Sequence, residues 1–596
     1  MMYRCLLVFL FLTFSVNQGF SQNIGLAMNY VEQGEYEKAK SIYESLYKTN
    51  PRKQDYVLGL SNVHVQLNEF EEAKALILKY IGGKDLYPNM FIELGHVYTV
   101  EQDSVNAKLW YDKAIRKVKE NVGYAYNVGR VFQNYNLLDE AIEAYEIANA
   151  EKPQISYSIQ LAKLYGEQGN IEKMFENYIE LIEKNEKYVD VIQRNFEAYI
   201  TEESDNSNNL ILRRLLLSKL QENPNILYNQ ILSWLFIQEN EFAKAFAQEK
   251  AIFKRLGIFD FTRFFDLAAV MTEAEAYTEA VEVYLYIKEQ SQNIDIQLEA
   301  VRALMELKIL KNDDLNETEE AFKSYLAQYG YNAQTLYLQL QFAEFLAFDF
   351  NKIEEANAIL ENTLDYKVGT FQQAQIQLLF ADILVAQQQF NQALIKYSLV
   401  SKMVKNTPLA QEASYKTALT SYYKGDFDWA LTQLKVLKKA TTQTIANDAL
   451  EMALFIKQGK TETDSTQLAL RKVAKADLLL YQGNPDQAVE ELKSVFDVVD
   501  NYHIKDQVYF KLGQAYETRK DYAQAIFNYE TLLVEYPQSI VVDNALYALA
   551  LIYTEHLEDT EKAKQYLEQL IFDHEDSIFF VEARKLYRQL RGDQNI

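Results

Sequence analysis

The hexapeptide GEYEKA, Gly34 to Ala39, decides the fold because it keeps returning. It reappears as NEFEEA (Asn68 to Ala73), NLLDEA (Asn136 to Ala141) and NEFAKA (Asn240 to Ala245). GDFDWA (Gly425 to Ala430), GNPDQA (Gly483 to Ala488) and KDYAQA (Lys520 to Ala525) keep the same form. A turn former opens each copy, as a tight connection between two helices demands. A large residue follows for packing into the layer below. The closing alanine sits where two helices cross too closely for a larger side chain. That last position reads as an anchor, recurring at Ala39, Ala73, Ala107, Ala141, Met174, Ala245 and Ala280. It continues at Ala321, Ala356, Ala393, Ala430, Ala488, Ala525 and Ala563. The first four anchors are 34 residues apart and Met174 follows after 33.

A 34-residue unit of two helices resembles the tetratricopeptide repeat, and the resemblance runs over nearly the whole chain after residue 21. ELGHVY (Glu93 to Tyr98) and YNVGRVF (Tyr126 to Phe132) are similar to that family's Leu-Gly-x-x-Tyr element. The resemblance implies an all-α fold: a solenoid of about 15 stacked helix pairs in a right-handed superhelix, each repeat hiding its apolar stripe on its neighbour. Only 7 prolines and 19 glycines agree with helix throughout. The stretch from Val508 to Ser577 resembles the repeats of exported bacterial envelope proteins, namely the lipoprotein of the outer-membrane β-barrel assembly machine and the periplasmic coordinator of the Tol-Pal system.

Four segments are expected. Residues 1–21 form a cleaved signal peptide, with Arg4, the apolar run Leu6 to Phe14 and small residues up to Ser21. The one cysteine, Cys5, lies inside it. Residues 22–200 form an N-terminal array, 201–457 a middle array with degenerate and longer repeats, and 458–596 a C-terminal array. The polar stretch TEESDNSNN (Thr201 to Asn209) is the first loop or hinge candidate. GKTETDST (Gly459 to Thr466) is the second, within a 58-residue step that leaves room for an extra helix. KNDDLNETEE (Lys311 to Glu320) reads as a long connection. Phe259, Phe261, Phe264 and Phe265 cannot all face one core stripe.

A formal net charge of −25 disfavours nucleic acid and anionic lipid as partners. The histidines His64, His96, His503, His556 and His574 form no metal-ligand motif, and no phosphate-cradling glycine loop or nucleophile elbow occurs. No metal, cofactor or catalytic residue is expected. In the family, the position eleven residues before the anchor faces the concave groove. Here that ladder is Met28, Asn62, His96, Arg130 and Lys163, with Leu58, Ile92, Tyr126 and Ile159 four residues earlier. The expected peptide-binding set is Asn62, His96, Tyr126, Arg130, Ile159 and Lys163, with Arg130 and Lys163 receiving a carboxylate.

The expected function is a non-enzymatic scaffold of the periplasm or outer-membrane periphery. It would bind envelope proteins or their segments in assembly, secretion, gliding or division, and reach the outer membrane through a partner. The alternatives are a self-associating structural or regulatory module and, third, a glycan-binding or enzymatic helical-repeat protein.

Overall fold

The computed structural model describes residues 24–82, 88–152, 156–311, 314–437, 443–460, 464–498 and 504–592. The expected signal segment, with Cys5, lies outside the described residues, as does His503. Every regular element among the described residues is helical, and none of those helices is long and apolar enough to cross a membrane. The chain forms two compact units, one ending at Arg255 and one beginning at Leu256.

Within the first unit, helices alternate as antiparallel pairs. Residues 24–32 pair with Tyr36–Thr49, Gln54–Gln66 with Phe70–Ile81, and Pro88–Val100 with Ser104–Glu120. Ala125–Asn134 pairs with Leu138–Glu151, and Ser158–Glu167 with Ile171–Lys184. The turn former works as its chemistry requires. Gly34, Asn68, Gln102, Asn136, Gly169 and Asn240 all adopt positive φ, between 55° and 75°. The next amide then reaches back to the finished helix: Glu35 N to Tyr30 O and Glu69 N to His64 O, both 2.8 Å. This left-handed cap satisfies carbonyls that the helix end leaves open. The anchor is the fourth residue of the second helix, and Ala39, Ala73 and Ala141 are fully buried there.

A second close approach explains the glycines of the Leu-Gly-x-x-Tyr elements. A Cβ added at Gly95, Gly129 or Gly513 would run into the ring of Tyr111, Tyr145 or Tyr529. Those rings come from the second helix of the same pair and are buried. The same device serves both units.

Three readings of the sequence change. Ala321 is not the anchor of its repeat, because it is only half buried. Thr318, the fourth residue of Leu315–Tyr329 and 1% exposed, holds that place. The spacing becomes 38 residues on either side, to Ala280 and Ala356. The acidic stretch NETEE is accordingly helix, not connection: Asp314 caps it by accepting from Asn316 N (2.8 Å) and Glu317 N (3.1 Å). Of TEESDNSNN, residues 201–206 form the expected loop and Ser207 to Asn209 open the next helix. Asn209 is fully buried at the anchor level, 35 residues after Met174 and 36 before Ala245. Its amide donates to Thr201 O (2.7 Å) and accepts from Thr201 N (3.1 Å).

In the second unit the 58-residue step adds, among the described residues, the helix Gln443–Gly459, which packs on Phe427–Leu437 ahead of Asp464–Tyr481. Two first helices end in a π-turn, Phe345–Asp349 and Ile552–His556, which absorbs an extra residue before the usual turn. Of the four phenylalanines, Phe261 and Phe264 are buried and Phe259 is 68% exposed.

Candidate functional site

The ladder residues ride on the first helix of successive pairs. Asn62 stands on Gln54–Gln66, His96 on Pro88–Val100, Tyr126 and Arg130 on Ala125–Asn134, and Ile159 and Lys163 on Ser158–Glu167. Of these, Asn62, Arg130 and Lys163 are exposed, while His96 is half buried. Tyr126 is 48% exposed and Ile159 half buried, which leaves apolar surface beside the two cations. Neither Arg130 nor Lys163 makes an ion pair among the described residues. Arg130 lies close enough to Tyr145 to act on its hydroxyl, which in turn donates to Tyr126 O at 3.5 Å.

His96 is drawn into a contact that its position alone does not announce. Its ring stacks on Tyr135, centroids 3.9 Å apart and planes 18° apart. Tyr135 Oη donates to Glu93 Oε2 at 2.5 Å. Burial holds the imidazole below its ordinary value and pushes the Glu93 carboxyl above its own, with the tyrosine bond opposing the latter. Burial therefore favours the uncharged ring of His96, which packs on Tyr135 within the wall. Glu93 and Tyr135 belong to the wall and were missed. Glu93 stands one helical turn before His96, so the i, i+3 pair was open to inspection, whereas Tyr135 comes from the next repeat.

In two repeats of the second unit the same register position carries an acid. Asp382 is eleven residues before Ala393, and Asp477 eleven before Ala488. Asp382 accepts from Tyr397 Oη (2.5 Å) and Lys416 Nζ (2.8 Å). Asp477 accepts from Tyr422 Oη (2.7 Å) and pairs with Lys511 Nζ (3.0 Å). In both cases the lysine lies 34 residues on, one repeat along. Burial pushes the Asp382 carboxyl up, with Lys416 and Tyr397 opposing it. Tyr481 Oη donates to Asp382 O (3.2 Å) and Gln482 Nε2 to Ala386 O (2.6 Å), so this wall closes on itself.

Among the described residues no group of three His, Cys, Asp or Glu side chains is placed to hold a metal ion. His556 stacks on Tyr522, centroids 4.2 Å apart.

Tetratricopeptide-repeat family models match residues 30–81, 473–540 and 544–577, so the chain carries these repeats near both of its ends. Protein O-mannosyl-transferase Tmtc3 of Drosophila melanogaster is 29% identical over 181 residues, which is 29% of this chain and 17% of that protein. Among solved structures, Naa15/Naa10 bound to HypK-THB is similar at 14% identity and a TM-score of 0.27, covering 97% of this chain and 94% of that one. The anaphase-promoting-complex hetero-tetramer Cut9-Hcn1 is similar at 15% identity and a TM-score of 0.22, covering 95% of each chain.

Proposed function

We propose that this tetratricopeptide-repeat chain is a non-enzymatic scaffold that holds a segment of a partner protein on the first-helix wall of its first unit. One observation carries the reading. Arg130 and Lys163 are exposed and make no ion pair among the described residues, in a chain of net charge −25 where a cation ordinarily has carboxylates to choose from. Tyr126 and Ile159 offer apolar surface on the same helices. A preformed helical wall leaves the ordering cost mainly to the peptide. The apolar side chains supply affinity and the cations fix register through charge-assisted hydrogen bonds. The segment carries a carboxylate near a hydrophobic residue. The setting we propose is the bacterial periplasm or outer-membrane periphery. It is supported by Arg4, the Leu6 to Phe14 run and the small residues before Gln22, and by the envelope-type resemblance from Val508 to Ser577.

The test is a pull-down from envelope extract with Arg130→Glu combined with Lys163→Glu. Both side chains are exposed, so circular dichroism keeps its full helical signal while partner recovery falls about tenfold. Full recovery of every partner by the folded double variant removes this wall from the function.

A further inference from the structure

The second unit has a cavity of a different character. The helix Pro408–Tyr423 contributes Tyr415, Gln443–Gly459 contributes Asp448, Glu451 and Phe455, and Lys505–Thr518 contributes Gln507 and Lys511. Together they enclose about 180 Å³. Asp448 and Glu451 are three residues apart, which puts both carboxylates on one helix face. Neither makes an ion pair among the described residues. The cavity's own cation is engaged elsewhere: Lys511 Nζ lies 3.0 Å from Asp477 Oδ1 and over the Phe455 ring. Asp543, the further acid acting on Glu451, accepts from Ser577 Oγ at 2.7 Å. Asp448 and Glu451 are exposed at the mouth, and Lys511 offsets their negative charge only in part. Burial raises both carboxyls, and for Glu451 the charges of Asp448 and Asp543 add to this while Lys511 opposes.

An independent observation points to an occupant. Gln507 is 4% exposed, yet its Nε2 is buried with no hydrogen-bond partner among the described residues. An orphaned buried donor carries a desolvation penalty that an incoming acceptor relieves. The neighbouring cavity, about 380 Å³, shares Phe510 and Gln514 with the first. It is floored by Ala548, Leu551 and the stacked pair Tyr547 and Phe579, whose ring centroids lie 4.7 Å apart. An acidic slot with a buried hydrogen-bond donor thus adjoins a slot with an apolar floor and polar walls from Glu517 and Asn544.

We infer that this groove receives a basic segment of a partner protein. An arginine or lysine side chain inserts between Asp448 and Glu451, a peptide carbonyl accepts from Gln507 Nε2, and an apolar side chain fills the cavity beside Tyr547. Tyr415 and Phe455 flank the aliphatic stem and face the cation, a favourable placement beside aromatic rings. A free polyamine would satisfy the carboxylates alone. It would leave Gln507 and the second cavity unused, so the three features together select a peptide.

The experiment is fluorescence anisotropy on the full chain with labelled, end-blocked peptides. Each has an arginine and a phenylalanine two residues apart in a glycine-serine background. The arginine peptide binds, and its glutamate counterpart binds about tenfold more weakly or worse. Asp448→Asn with Glu451→Gln, isosteric and near the surface, weakens the arginine peptide by about the same factor. Gln507→Leu weakens it less and leaves discrimination between arginine and glutamate in place. Arg130→Glu with Lys163→Glu leaves binding intact, which separates this groove from the first-unit wall. Absence of binding by the arginine peptide overturns the assignment. So does equal binding of the arginine and glutamate peptides, a comparison that needs no variant to fold. Spermidine competing as strongly as the peptide overturns it too, as does loss of binding in the Arg130 and Lys163 variant.

Discussion

Position eleven before the anchor is used in opposite ways by two repeats of the first unit and two of the second. In the first it holds Arg130 and Lys163, exposed and uncommitted to any carboxylate among the described residues. In the second it holds Asp382 and Asp477, each tied to a tyrosine and to a lysine one repeat along. The backbone rule is the same, and the sign of the charge decides the role. With 60 Lys and Arg against 85 Asp and Glu, an acid that needs a cation must be given one by design of the repeat, and here the neighbouring lysine supplies it. Two basic residues left without such a partner are then available to a ligand. The second unit recovers a ligand surface by another route. Its extra helix, Gln443–Gly459, interrupts the regular alternation and brings Asp448 and Glu451 to a cavity beside Gln507.

The comparison breaks most visibly at Asp382. Asp382→Ala leaves the Tyr397 hydroxyl without its acceptor and the Lys416 ammonium with Glu412 alone (2.9 Å), a loss of about 3 kcal/mol. Chemical denaturation monitored by circular dichroism reads it. A change within about 0.5 kcal/mol, the range of ordinary surface substitutions, would mean that the second unit's acids are as uncommitted as the first unit's cations.

Next in size is the anchor register that lets the two ladders be aligned at all. Ala141→Leu overpacks a fully buried crossing and costs about 1–3 kcal/mol. Ala321→Leu, at a half-buried site one turn past Thr318, stays within about 0.5 kcal/mol. Thermal melts of the two variants beside wild type give the order, and the reverse order would return the anchor to Ala321.

The smallest effect concerns pH. Burial holds His96 below its ordinary value of 6.5, so the unfolded chain takes up the proton more readily. The contribution is complete above that value and declines as pH falls below it. His96→Phe keeps a ring against Tyr135 and removes this decline. The difference in melting temperature between wild type and variant should therefore shift in the variant's favour from about pH 8 to about pH 5. A difference independent of pH would mean that the ring is as hydrated as the exposed Arg130 and Lys163 beside which the ladder places it.

The repeat was legible because its signals are local. A positive-φ turn former, a cap and a buried alanine lie within six consecutive residues, so Gly34 to Ala39 could be read without a neighbour. Where another residue does the same work, the reading slipped. Thr318 is small enough to sit at a helix crossing, but it does not look like an alanine, and Ala321 three residues later does. Asn209 fills an anchor level that composition marks as loop, because its amide satisfies the turn it is buried under. The first-unit ladder was found by counting from the anchor. The groove at Asp448, Glu451 and Gln507 could not be counted to, because the Gln443–Gly459 helix packs on Phe427–Leu437 outside the regular alternation and has no anchor of its own.

The sequence by itself determined the helical pairs, most of their turns and, where the anchor is an alanine, which residue stands eleven places ahead of it. All of these depend on chain neighbours or on the immediately adjacent helix. Tertiary structure alone decided which of those residues remain available. Asp382 meets Tyr481 across 99 residues, and Gln507 is orphaned by what surrounds it rather than by anything beside it in the chain. The physical reason is that burial and pairing of a charge belong to the space around it, where the low dielectric acts. Periodicity places a side chain on a face of a helix, but it carries no information about what a distant repeat brings to that face.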